Sequence, residues 1–240
     1  MYGTELMKSL SKTIETPQSW WKLWSSLCPC SADAEGSEPL SKSSATREKI
    51  LLAAFNEIYH CGFQAASLNN ILKNTGTTKG ALYHHFKNKM DLGYAVVDEF
   101  IFQSIKENWI EPLNQTDDPI RTIQDILINT SKIMTDADIR LGCPMNNLAQ
   151  EMSPIDEGFR ERISKVYSEW QEAIEAACER GKLAGNFKNS VDSKQASLLF
   201  VASLEGCLGY AKSLQSKDAL LSCGQGLIDQ LESLRPTKKT

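Results

Sequence analysis

Apolar residues return every three or four positions along almost the whole chain from residue 46 onward, the repeat of helices that bury one face. Leu68, Ile71 and Leu72 give the first informative stripe, with Ser67 ahead of it as N-cap and Gly76 behind it where a left-handed backbone closes the helix. Thr77 or Thr78 then caps a second short helix whose inward residues are Ala81, Leu82 and Phe86. Asn88 caps a long helix carrying Leu92, Val96, Phe100 and Trp109, with a stop expected at Pro112. Asp118-Pro119 starts another, with Ile120, Ile123, Leu127 and Ile128 inward, and residues 136–142 read as a loop. Cys143 to Met152 forms a short helix, and Ser153-Pro154 restarts the chain into a long one holding Phe159, Ile163, Val166, Tyr167, Trp170 and Ile174, ending near Gly181. Asp192 caps a helix with Ala196, Leu199, Phe200, Ser203, Leu204 and Cys207, and the last helix spans about Lys217 to Leu234. No alternating strand pattern bounded by hairpin turns interrupts this series, so the fold class is all-α.

The outward residues of the second short helix are Lys79, Tyr83, His84, His85, Lys87 and Lys89. A helix that is apolar behind and carries cations and hydrogen-bonding rings in front suits a DNA groove. Residue types alone would equally describe a solvated helical hairpin; the order of cap, glycine turn and basic aromatic helix favours DNA. Charge sharpens this. Residues 41–91 carry seven Lys and Arg against three acids, a net of +4, within a chain whose total is −4. A basic head on an acidic body fits nucleic-acid contact by the head alone.

The run from about Ser44 to Val97, with a first helix of the type seen in Thr46 to Phe63 and with Lys79-Gly-Ala-Leu-Tyr-His-His-Phe-Lys-Asn-Lys89, resembles the DNA-binding head of the TetR family of bacterial transcriptional regulators. The likeness covers about fifty residues and is specific, whereas the remainder resembles the family's ligand and dimer domain more loosely. It implies an N-terminal three-helix head with a helix-turn-helix, followed by a helical ligand-binding and dimerisation body. The division expected is an extension and linker at 1–43, the head at 44–91, the body at 92–235 and a tail at 236–240. The resemblance also implies a homodimer formed by the last two helices, double-stranded operator DNA as partner, and release by a small-molecule effector. Leu204 and Leu208 are expected at that dimer interface, beside the small residues Ala202, Ser203, Gly206, Gly209 and Ala211.

On the head, Lys79, Tyr83 and Lys89 are expected to meet phosphates, and Ser67 offers its hydroxyl and a helix N-terminus to another. Thr78, one of the two candidate caps of the reading helix, is placed with these DNA-facing residues. Gly80 and Ala81 let its first turn approach base edges, and His84 and His85 can donate to bases or backbone. In the body, Phe100, Ser104, Trp109, Met134, Met145, Asn146, Met152, Tyr167 and Trp170 are candidate lining residues for an effector, with ordinary core packing as the alternative for each. Asn146 and Asn147 stand out because interior amides need partners. Cys143, beside a helix start, could be a reactive thiolate in a redox-sensing regulator of the same fold, or a buried and inert wall residue.

The remaining classes find little support. The chain has three histidines and no nucleophile elbow, P-loop or GxGxxG, so catalysis is not expected, nor is a cofactor or a metal. Cys28-Pro-Cys30 is only a weak metal signal, and Cys178, Cys207 and Cys223 read as structural. Seven scattered cysteines with no secretory or membrane-spanning run point to the cytoplasm and away from a membrane. Trp20, Leu23, Trp24 and Leu27 share a stripe on a short helix ahead of Pro29, which leaves open a helical adaptor docking through this tail.

Overall fold

The structure is a computed structural model and describes residues 42–237, so the tryptophan-bearing stripe lies outside the described residues. Three helices form the head: α1 (Lys42–Cys61), α2 (Leu68–Thr75) and α3 (Lys79–His85). The expected caps are all in place. Ser67 Oγ accepts from the Asn70 amide at 3.4 Å, and Thr78, rather than Thr77, caps α3 by accepting from the Ala81 amide at 3.2 Å. Gly76 ends α2 at φ 61°, a left-handed backbone that is costly for a residue with a Cβ. Ile50, Ala54, Ile71, Leu82 and Phe86 close behind these helices as the head's share of the core.

The chain then enters one long rod, α4, in which α-helical and π-helical turns alternate. Its segments are Lys89–Ala95 (α), Val96–Ile101 (π), Phe102–Ile105 (α), Lys106–Ile110 (π) and Glu111–Asn114 (α). The expected stop at Pro112 is overrun by two residues. Pro112 has no N–H to give and follows closely on a π segment, where the α-type ladder is already interrupted.

The body comprises α5 (Pro119–Ile133), α6 (Asp136–Leu141), α7 (Pro144–Met152), α8 (Glu157–Leu183), α9 (Ser193–Leu214) and α10 (Lys217–Ser233). Two boundaries differ from the sequence reading. Residues 136–141 are helical, because Thr135 and Asp138 cap each other reciprocally at the start of α6. The long helix starts at Glu157 under an Asp156 cap, leaving Ser153 and Pro154 in the turn before it. α8 packs against α4, α5, α7 and α9, while α10 lies along α9 and touches α5 and α6.

Head and body share one apolar cluster running from Ile50 to Leu231, and the division expected at 91/92 falls inside the first segment of α4. Phe55 of α1 stacks on Phe100 of α4 at 4.2 Å, and the Tyr59 hydroxyl donates to the Gly142 carbonyl at 2.6 Å. Arg47 forks onto Glu99 at 2.5 and 2.6 Å. Glu151 of α7 makes the most economical link: its carboxylate accepts from the Phe63 and Gln64 amides, each at 2.8 Å, in the α1–α2 loop. Gly62, just before them, has φ 80°, and a Cβ there would sit 2.9 Å from the same carboxylate.

Glu151→Ala should therefore strip two charge-assisted hydrogen bonds and destabilise the chain by about 1–3 kcal/mol. Glu151→Gln, keeping one acceptor, should cost roughly half. Urea unfolding measures the loss, and hydrogen exchange should show faster opening at the Phe63 and Gln64 amides before any change in the body.

Candidate nucleic-acid interface and ligand cavity

α3 turns one face to the core and the other to solvent. Leu82 is fully buried and Ala81 half-buried, while Thr78, Lys79, Gly80, Tyr83 and His84 are exposed. The Lys79 ammonium lies 5.9 Å over the Tyr83 ring, so cation and phenol occupy one patch. Around Gly80 an added Cβ would meet only the Thr78 hydroxyl, at 3.9 Å, so the first turn of α3 stands clear of its own protein. His84 and His85 lie edge to face at 5.0 Å. His85 titrates below its ordinary value, first through desolvation and then through His84 and Arg47, which favours a neutral ring.

Lys89 departs from the expected geometry. Its ammonium donates to the Gln64 carbonyl at 3.0 Å and rests 5.0 Å over the Phe63 ring, pinning α4 to the α1–α2 loop. Ser67 opens α2 as expected, and its own amide donates to Glu57 at 3.1 Å.

Below the head, α4, α5, α8, α9 and α10 border a cavity of about 290 Å³. Trp109 and Trp170 are tilted neighbours at 5.0 Å, and Leu127, Leu204, Leu208 and Leu227 supply apolar wall. One acid lies in this lining. Glu205 is 7 % exposed; its Oε1 accepts from the Cys143 thiol at 3.3 Å, and its Oε2 has no hydrogen-bond partner among the described residues. Burial raises its carboxyl to about 7, opposed in part by the Cys143 hydrogen bond. Trp170 Nε1 is likewise buried without a partner among the described residues.

Comparison with known proteins agrees with this arrangement. Residues 50–96 match the family described as bacterial regulatory proteins, tetR family, and residues 119–225 match the tetracyclin repressor-like C-terminal domain. A Lactococcus lactis HTH-type regulator from the lacX 3' region is 34% identical over 131 residues, covering 54% of this chain and 66% of that one. The HTH-type regulator YxaF of Bacillus subtilis is 31% identical over 174 residues, covering 72% of this chain and 87% of its own. The chain belongs to the TetR family. A TetR regulator of Chloroflexus aurantiacus has the same fold, with a TM-score of 0.69 at 25% identity over 80% of this chain and 96% of that one. This TetR-family chain is thus a DNA-binding transcriptional regulator with an all-α fold. Among the described residues no helix is long and apolar enough to cross a membrane.

The TetR-type body sorts the expected ligand residues into two groups. Ser104, Trp109, Met134, Cys143 and Trp170 line the cavity. Phe100 and Met145 instead fill the packed seam beneath Phe55, while Met152 is core and Tyr167 is half-buried beside it. Asn146 sits outside the cavity and donates to the Glu205 carbonyl at 3.5 Å; Asn147 accepts from Lys212 at 2.7 Å. Their amides find partners within the protein. Cys143 caps α7, but it is fully enclosed, and burial followed by the nearby Glu205 pushes its thiol well above the ordinary value. A buried protonated thiol lacks the thiolate that redox sensing needs.

Sequence reasoning missed Glu205 and the α10 wall because their stripe resembles core or interface. One signal was present: Glu205 is the single acid in α9, among apolar and small residues. Leu204, which is buried, and Leu208, which is half-buried, also line this cavity. The outward strip of α9 is Leu199, Ala202, Gly206 and Tyr210, one helical turn apart.

The raised carboxyl fixes a pH signature. Between about 4.5, its solvated value, and about 7, the folded chain holds this proton more tightly than the unfolded chain does. This group's contribution to stability therefore falls as pH rises through that window, by about 3 kcal/mol in all. Glu205→Gln should match the native chain near pH 5 and exceed it in stability near pH 8. Thermal melts across that range check this, and a constant difference at every pH would contradict it.

Proposed function

We propose that this regulator is a homodimeric repressor that binds a near-palindromic operator through α3 and leaves it when a small molecule enters the cavity. The observation that carries the reading is the continuity of α4. Its first two segments are fixed to the head by Lys89 and by the Phe55–Phe100 stack, and its later turns supply Ser104, Ile105, Asn108 and Trp109 to the cavity. A molecule that presses on those turns pushes on the rod that aims the head. Two heads joined by a two-fold axis then change spacing, and the match to half-sites about one helical turn apart is lost.

In this reading Lys79 and Tyr83 meet phosphates, the Ser67 end of α2 meets another, and Gly80 and Ala81 bring α3 close to base edges. His84 and His85 donate to bases or backbone. Lys89 acts by holding α4 to the head. The dimer forms through the outward strips of α9 and α10, where Leu199, Tyr210 and Leu214 are each about half exposed in the isolated chain. A footprint on DNA upstream of the chain's own gene is the direct test; no protected site with dyad symmetry would refute the proposal.

Lys79→Ala should weaken operator binding across sequences and reduce the slope of log K against log salt by about 0.9, the release expected for one phosphate. An unchanged slope would place α3 outside the groove.

Gly206→Glu should give a monomer with greatly reduced operator affinity. Nothing lies within 4 Å of a Cβ at Gly206, so the folded protomer has room for the side chain. Sedimentation and gel shift read the two effects separately, and a monomer with full affinity would refute the dimer.

A further inference from the structure

The cavity carries an unbalanced charge. Glu205 is more than nine-tenths buried, one of its oxygens is satisfied only by a thiol, and the other has no partner among the described residues. No Lys, Arg or His is among the lining residues, so the cation that would balance a carboxylate does not come from these walls. An ionised carboxylate in apolar surroundings is neutralised by a proton or by a counter-cation. The other walls favour the second. Trp109 and Trp170 present ring surface that attracts cations, and leucine and isoleucine side chains make most of the remaining wall, with Ser104, Asn108, Thr130, Ser131 and Gln225 as its uncharged polar members. The size, about 290 Å³, is at the lower end of small-molecule sites, which run from about 300 Å³ upward.

We propose that this cavity takes an amphipathic amine, its ammonium donating to Glu205 and its aromatic or branched apolar body lying against Trp109 and Trp170. The assignment rests on the reading above that this cavity is the effector site, and it narrows that reading to a chemical class. Carboxylate ligands are disfavoured, since a second negative charge beside Glu205 in a low dielectric is repelled strongly. A neutral alcohol can donate to Glu205 but leaves its charge uncompensated.

Binding carries a proton signature as well. The ammonium replaces the proton that otherwise neutralises Glu205, whose carboxyl is raised to about 7. Of the groups facing it, Cys143 on α7, Tyr167 on α8 and Cys207 on its own helix are all pushed upward by burial and stay neutral near pH 7. The lining residues of α4, α5 and α10 include no charged group. Amine affinity should therefore fall about tenfold from pH 8 to pH 6 through Glu205 alone.

Calorimetric titration of the full chain with naphthylmethylamine, naphthylmethanol and naphthoate tests the proposal. At pH 8 the amine should bind at least about tenfold more tightly than the isosteric alcohol, and naphthoate should bind most weakly. Glu205→Gln should lose about tenfold or more for the amine, change little for the alcohol, and abolish the pH dependence. Saturable binding of alcohol or naphthoate equal to that of the amine would overturn the proposal. So would undiminished amine binding by Glu205→Gln, or no amine binding at all. Should the variant misfold, the pH titration of the native chain still decides, because a pH-independent amine affinity removes Glu205 as the counter-charge. Gel shifts with operator DNA separate this from the broader reading. Amine binding without DNA release would leave the ligand class standing and remove the effector role. Release by a non-amine occupying the cavity would do the reverse.

Discussion

Glu151 holds the architecture at its narrowest point. The α1–α2 loop must turn sharply after α1, and two consecutive amides there, Phe63 and Gln64, have no helical acceptor. A single carboxylate reaching from α7 accepts from both. Because α7 also carries Cys143 at its start, the element that steadies the head is the one that touches the buried Glu205. The head's angle and the cavity's wall are consequently set by one nine-residue helix, pressed between α4 and α8.

The head was legible in the sequence because its determinants are local. Ser67, Gly76 and Thr78 act on backbone groups within three residues of themselves, and Leu82 and Phe86 need only a helical period to be placed. The body was legible as helices but not as a site. Whether Met145 lines a cavity or fills a seam depends on where α1 lies, and that is decided by the Phe55–Phe100 stack, 45 positions apart in the chain. Leu204 and Leu208 read as interface for a similar reason: α9 has apolar residues on two sides, and periodicity cannot say which side meets α10 and which meets a second copy. Lys89 was a basic residue next to a reading helix, and only the fold showed its ammonium turned back onto the Gln64 carbonyl.

Buried polar atoms divide the interior into two kinds of place. The Asn146 and Asn147 amides, the Tyr59 hydroxyl and the Glu151 carboxylate all find protein partners and serve to fix helices against one another. Glu205 Oε2 and Trp170 Nε1 have no partner among the described residues; the same holds for one atom each of Glu107, Asp138 and Ser193, but only Glu205 and Trp170 of these line the cavity. Packing alone would place leucine at position 205 at less cost, since an unpaired buried carboxylate works against folding. The chain keeps a group that the folded state tolerates poorly, at a cavity that its long rod, its central helix and its outer hairpin all border.

The π segments of α4 acquire a meaning from arithmetic. Leu92, Val96, Phe100, Ile105, Trp109 and Leu113 recur at intervals of four or five residues. On an ideal α-helix each residue turns about 100°, so such a stripe creeps about 40° at every four-residue step and about 140° at the five-residue one. Two wider turns, at Val96–Ile101 and Lys106–Ile110, absorb that creep. The rod thereby keeps its apolar stripe nearer to one side than an ideal α-helix would, so that a single element presents Phe100 to the head and Trp109 to the cavity.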